Sequence, residues 1–185
     1  MIAQRPRYAA RAVPASASSL PFVDKGFDAA MALLTVHHWP DISAGLREMV
    51  RVARKRCVIF TWEVPETEFW LTRDYFPEIL AHDRKQFSPE PFRDVFANFE
   101  TRVVPVPHDC SDGFLCAYWR RPEMYLDAGA RGAISSFARL GDVSAALAQL
   151  RRDIEDGTWS RRNAGLLDKT EMDFGYRLVI WHAVT

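Results

Sequence analysis

Two apolar runs set twenty residues apart constrain this chain more than any other feature. Phe27 to Val36 (FDAAMALLTV) and Cys57 to Trp62 (CVIFTW) are nearly unbroken by charge, the pattern of parallel strands buried on both faces. Between them Asp41 stands as a candidate N-cap. Ile42, Leu46, Met49, Val50 and Ala53 follow at offsets that share one helical face. Arg54, Lys55 and Arg56 then sit where cations favour a helix C-terminus. Strand, helix and strand at this length make a βαβ unit with a right-handed crossover. The fold class is therefore α/β.

The remainder is more irregular. Glu66 to Arg84 is rich in aromatics and charge and reads as an irregular helical or lid segment, and Phe92, Val95, Phe96 and Phe99 mark a short amphipathic helix starting near Pro89. Thr101 to Pro107 (TRVVPVP) reads as a strand that its prolines place at a sheet edge. Val143, Ala146, Leu147, Leu150 and Ile154 form a helical stripe ending near Gly157, and Tyr176 to Val184 closes the chain as a strand. Residues 111–173 between the last two strands read as a helical insertion or substrate-side cap within one domain spanning 1–185.

Charge and cysteine content exclude several classes. The 24 basic and 24 acidic residues cancel, so no global field draws the chain to nucleic acid or an anionic membrane. Three cysteines without paired spacing, Cys57, Cys110 and Cys116, suit reduced thiols in the cytoplasm better than a disulfide framework or a structural zinc site. Arg5, Arg7 and Arg11 give the first residues a transit-like look, but Pro6 and Pro14 break any amphipathic helix there.

Ligands of open α/β sheets bind beyond the carboxyl ends of the strands. Those ends deliver Thr35, Val36, His37, His38 and Trp39 from the first run and Thr61, Trp62 and Glu63 from the second. In extended chain His37 and His38 point in opposite directions, so no metal site is expected. Either histidine could act as a general base, or both could simply cap the strand and wall a pocket. His108-Asp109-Cys110 fits a turn better than a nucleophile pair, and Arg120-Arg121 fits either an anion grip or a solvated face. Phe69, Trp70, Tyr75, Tyr118, Trp119 and Trp159 could line an apolar pocket or form core. No G-x-G-x-x-G and no G-x-x-x-x-G-K-[ST] occurs.

An ordered set of residues carries a family likeness. Ala15-Ser16-Ala17-Ser18-Ser19-Leu20-Pro21-Phe22, then Asp24, Phe27-Asp28 and His37-His38-Trp39-Pro40-Asp41, resembles the small-molecule (type 11) group of class I S-adenosylmethionine-dependent methyltransferases. Leu46-Arg47-Glu48-Met49, Arg51-Val52-Ala53-Arg54 and Gly175-Tyr176-Arg177-Leu178 are similar to that group's fourth helix, the turn into its fifth strand, and its last strand.

The resemblance implies a Rossmann-like methyltransferase sheet, mostly parallel with the last strand antiparallel. It implies S-adenosylmethionine as cofactor, with Ser16 and Ala17 at the adenine and Thr35, Val36 and His37 beside the methionine part. His37 or His38 is then the candidate base toward a small-molecule acceptor. It further implies a chain lacking the first βαβ portion and its glycine-rich loop, so that Met1 is internal to a longer protein. On that reading Phe27 to Val36 becomes an exposed apolar edge, and the chain is poorly stable or pairs with a copy of itself as a homodimer. A non-catalytic methyltransferase-like fragment, or an interaction protein that binds no cofactor, is the alternative.

Overall fold

In the computed structural model, residues 6, 8–63, 68–83 and 89–183 are described. Two compact units share the chain. One comprises residues 1–59, 89–99 and 180–185, and the other comprises 60–88 and 100–179.

In the first unit, β1 (Phe27–Leu33) leads through a 3-10 turn (Val36–His38) into α1 (Ile42–Val52) and directly into β2 (Ala53–Trp62). The expected βαβ unit is present. Asp41 caps α1 as its pattern predicted, its carboxylate accepting the Ala44 N–H at 2.8 Å. Leu46, Met49 and Val52 are buried along one face, each worth roughly 1.5–3 kcal/mol relative to exposure. Asp28 near the start of β1 meets Arg54 and Lys55 near the start of β2, at 3.3 and 3.1 Å, so the two strands run parallel. These cations neighbour Asp28 from within β2; they do not close the helix. The helix stops one turn sooner than expected because Ala53 is already extended, with φ −91° and ψ 131°. The first strand is also shorter than the apolar run. Leu34 adopts φ 44°, a left-handed backbone that ends β1 and turns the chain.

Helix α4 (Glu90–Val95) completes this unit and begins beside Pro89 as expected.

The second unit holds α2 (Trp70–Asp74) and α3 (Pro77–Asp83), where a helical segment was expected; residues 64–67 and 84–88 of that stretch lie outside the described residues. It continues with β3 (Glu100–Val103), β4 (Val106–Pro107), α5 (Ala128–Gly132), α6 (Ser144–Glu155), α7 (Thr158–Arg162), α8 (Ala164–Leu167) and β5 (Glu171–Met172). The expected single strand over 101–107 is divided in two. Val104 still donates to the Tyr176 carbonyl at 2.9 Å, but Pro105 has no N–H with which to continue the ladder. The chain then pairs elsewhere, β4 antiparallel to β5 with Val106 opposite Met172. Helix α6 ends as expected, at Gly157 with φ +76°.

Strand β6 (Tyr176–His182) closes the main sheet, whose order is β1-β2-β6-β3. The Glu63 N–H donates to Gly175 and the Ala183 N–H to Lys55, a descending register that makes β6 antiparallel to β2. The end of β3 lies at the start of β6, so β3 is antiparallel to β6 as well. Three strands thus share a direction and the last opposes them. β3 is the far edge, where the prolines placed it.

Within the second unit the six aromatics named above are all buried. Trp70 meets Trp159, Tyr125 and Tyr75 edge-on, with centroids 5.2, 5.6 and 6.0 Å apart. They are core, not pocket lining. Asp153 is buried among them and accepts from Tyr75 Oη at 2.7 Å, Gln149 Nε2 at 2.6 Å and Arg162 Nη1 at 3.3 Å, so its charge is compensated.

Two positions give clear stability predictions. Gly175 has φ +88°, and a Cβ there would lie 2.1 Å from the Glu63 carbonyl oxygen. Replacement by alanine is therefore expected to lower the melting temperature by several degrees, since the backbone strain alone is about 1–3 kcal/mol; an unchanged melt contradicts this.

The second concerns Glu48. Its hydrogen bonds from Arg51 and from the Leu20 N–H hold its carboxyl at about 2, below the usual 4.5. A depressed folded-state value stabilises above the unfolded value and is lost as pH falls between 4.5 and about 2. The melting-temperature advantage of the native chain over Glu48→Gln should shrink across that window, and a constant gap contradicts the assignment.

Candidate functional site

The segment before β1 has no regular secondary structure, yet it is held firmly by α1. Arg51 donates from Nη1 to the Phe22 carbonyl at 2.7 Å and from Nη2 to the Leu20 carbonyl at 3.0 Å. Its Nη1 also meets Asp24 Oδ1 at 2.7 Å. Glu48, one turn earlier, accepts from Arg51 Nε at 2.7 Å and from the Leu20 N–H at 2.7 Å. The planar guanidinium thus reads two backbone carbonyls and two carboxylates at once, which its forked donors permit and an ammonium would not. Pro21 contributes no donor of its own, so the Leu20 N–H and the carbonyls beside it are the groups available to grip.

Ser16 and Ala17 lie just upstream in a tight turn. The Ser19 N–H donates to the Ser16 carbonyl at 3.1 Å, and the Ser16 and Ser18 hydroxyls are 2.9 Å apart. Ser16 is exposed and Ala17 half-buried. The turn offers hydroxyls and backbone polar groups near the surface.

The carboxyl end of β1 carries the other predicted residues. Thr35 precedes the 3-10 turn without spending its hydroxyl on a cap, and Val36 is buried beneath it. The turn overturns the expectation that His37 and His38 diverge. Their ring centroids are 3.9 Å apart at an interplanar angle of 53°, because the backbone is no longer extended. His38 is exposed and His37 half-buried. Among the described residues no group of three or more His, Cys, Asp or Glu could hold a metal ion.

Trp39 fixes this corner. Its ring lies over Gly45 on α1, and a Cβ at Gly45 would sit 2.3 Å from Trp39 Cε3. Only glycine lets the indole approach so closely.

The other candidates belong to the second unit, where local contacts account for them. His108-Asp109-Cys110 is a turn, with the Cys110 N–H donating to the Pro107 carbonyl at 3.2 Å. Arg121 is committed to the Cys110 and Ala117 carbonyls and stands 5.1 Å over the Tyr118 ring. Arg120 donates to the Lys169 carbonyl at 2.9 Å.

Sequence reasoning placed Glu48 and Arg51 within a likeness but missed their clamp on the preceding loop. The available signal was an acid and an arginine three residues apart on the half-buried flank of an amphipathic helix. Gly45 facing Trp39 left no comparable trace.

Comparison with known proteins agrees with this architecture. A methyltransferase-domain family profile matches residues 1–61. A solved structure from Anabaena variabilis, described as a methyltransferase from an antibiotic biosynthesis pathway, superposes with a TM-score of 0.83 at 33% identity. That match covers 89% of this chain and 70% of the other. A demethylmenaquinone methyltransferase from Roseiflexus sp. (strain RS-1) is 30% identical over 111 residues, 58% of this chain and 47% of the relative. YafE of Escherichia coli (strain K12), itself uncharacterized, is 35% identical over 79 residues, 40% of this chain and 38% of the relative. The chain thus spans about half or less of the length of these curated relatives. With fold and sequence in agreement over most of its length, the chain belongs to the class I S-adenosylmethionine-dependent methyltransferase family.

Proposed function

We propose that this chain binds S-adenosylmethionine through the turn at Ser16-Ala17 and the strand end at Thr35-Val36-His37, and serves methyl transfer to a small-molecule acceptor. The observation that carries the reading is the pinned loop: Glu48 and Arg51 hold Leu20 to Asp24 on α1, next to the Ser16 turn. The donor set suits the two ends of such a cofactor. The Ser16 hydroxyl and the turn backbone match an adenine edge, while Thr35 and His37 offer polar groups beside the buried Val36. When bound, the cofactor supplies an electrophilic methyl group on a sulfonium.

The protein's own part is positioning and exclusion of water, which in-line displacement requires more than a fixed catalytic triad. His37 or His38 takes a proton from the acceptor where the acceptor atom carries one. The apposed rings put both imidazoles at one corner, so one can support the other's orientation. No helix of the described residues is long and apolar enough to cross a membrane, and formal charge is zero. The zero formal charge favours a small acceptor over a nucleic-acid one.

The test is a thermal melt with S-adenosylhomocysteine. Ligand at a hundred times its dissociation constant adds about 2.7 kcal/mol to stability, so an upward shift is expected. Ser16→Ala should weaken binding by about fivefold, the worth of one hydrogen bond of ~1 kcal/mol, without lowering the ligand-free melt. A cooperative melt that ligand leaves unmoved contradicts the proposal and points to a non-catalytic role.

A further inference from the structure

Two described residues other than glycine hold a positive φ, Lys25 at 53° and Leu34 at 44°. Lys25 has an ordinary setting. It stands in a tight turn that the Gly26 N–H closes on the Val23 carbonyl at 3.2 Å, and its own N–H donates to the Arg51 carbonyl at 2.8 Å. Leu34 instead sits directly between β1 and the 3-10 turn. It is a branched apolar residue in a backbone region that glycine, asparagine and aspartate enter readily and bulky side chains rarely do. Such strain persists only where the surroundings over-determine it, and it clusters at functional sites.

The surroundings of Leu34 do so from both sides. Upstream, Ala32 is buried near the end of β1, and downstream Val36 is buried as well. Beyond Leu34 the chain folds tightly, the His38 N–H donating to the Thr35 carbonyl at 2.9 Å and the Trp39 N–H to the Val36 carbonyl at 3.1 Å. Trp39 is in turn held over Gly45 of α1. Both ends of the segment are therefore anchored, and the change of direction falls on Leu34. An extended residue there would carry the chain onward along β1. Thr35, with φ −126° and ψ −21°, could not then open the 3-10 turn where it does.

We propose that Leu34 is a positioning residue for the strand-end half of the cofactor site. Its left-handed backbone turns the chain out of β1 and into the 3-10 turn, so that Thr35 and the two histidine rings are presented together. Leu34 acts through those residues and contacts no ligand itself, and the assignment rests on the S-adenosylmethionine reading above. Residue 34 then matters for the backbone it permits, not for the apolar volume it supplies.

The experiment compares Leu34→Asn, Leu34→Gly and Leu34→Val. Asparagine and glycine accept the left-handed region, whereas valine, branched at Cβ, resists it. Valine keeps the apolar character that the other two discard, so a backbone role and a packing role predict opposite orders. The first readout needs no ligand. The sequence holds five histidines, and histidine-selective labelling should reveal a ring-to-ring nuclear Overhauser cross-peak between His37 and His38, whose centroids are 3.9 Å apart. That cross-peak should persist in Leu34→Asn and Leu34→Gly and be lost in Leu34→Val.

The second readout is the dissociation constant for S-adenosylhomocysteine. It should stay within about threefold of the native value for the first two variants and rise at least about tenfold for Leu34→Val. A Leu34→Val chain that fails to fold, beside folded and native-like Leu34→Asn and Leu34→Gly, keeps the same order and supports the backbone role. The reverse order overturns the proposal, and so does a cross-peak indifferent to all three substitutions. A native chain that binds no S-adenosylhomocysteine, with the cross-peak still ranking the variants as stated, refutes the cofactor reading and leaves the turning role of Leu34 standing.

Discussion

The Arg51 guanidinium is the contact on which the site half of this protein depends. The segment from Leu20 to Asp24 has no ladder of its own, so its backbone groups need partners from elsewhere. Beside the local bonds from Phe22 to Leu20 and from Gly26 to Val23, helix α1 supplies them through one forked cation and one carboxylate. Because α1 is itself fixed by the burial of Leu46, Met49 and Val52, core packing is transmitted to a surface loop. Trp39 over Gly45 does the same for the other side of the site, tying the turn after β1 to the same helix. A single helix thus positions both groups of residues that we propose hold the cofactor.

The second unit is held by different physics. Its centre is aromatic, with Trp70 donating to the Trp119 carbonyl and Trp119 to the Val106 carbonyl, so the indoles satisfy backbone acceptors while filling volume. Asp153 adds a compensated charge to that core, and burial, together with the hydrogen bond it gives Asp153, raises the Tyr75 hydroxyl above its ordinary range. The hinge-like glycine at 175 lets the chain turn into β6 against the Glu63 carbonyl. These contacts support the sheet from within their own unit and leave no side chain named in the site.

Much of this was legible in the sequence because the signals were local. The βαβ unit followed from two apolar runs around a helical period, and Asp41 announced its own cap. The edge position of β3 was also readable, from its prolines. What was not legible depended on backbone geometry. The left-handed turn at Leu34 shortened β1, and the 3-10 turn after it brought the His37 and His38 rings close together, where an extended chain would have separated them. Ala53 turned extended immediately, so three cations that look like a helix end became strand residues. The clamp was hidden for another reason: it joins residues 27 or more positions apart, and periodicity reports only neighbours on one element.

The claim that α1 fixes the loop from Leu20 to Asp24 through Glu48 and Arg51 is tested most directly by amide hydrogen exchange on Arg51→Met. The Leu20 N–H, which donates to Glu48, should lose protection by about tenfold or more, while amides in the middle of α1 keep theirs. Equal protection of Leu20 in the variant and the native chain would contradict the account, because the loop would then be held by something other than this pair.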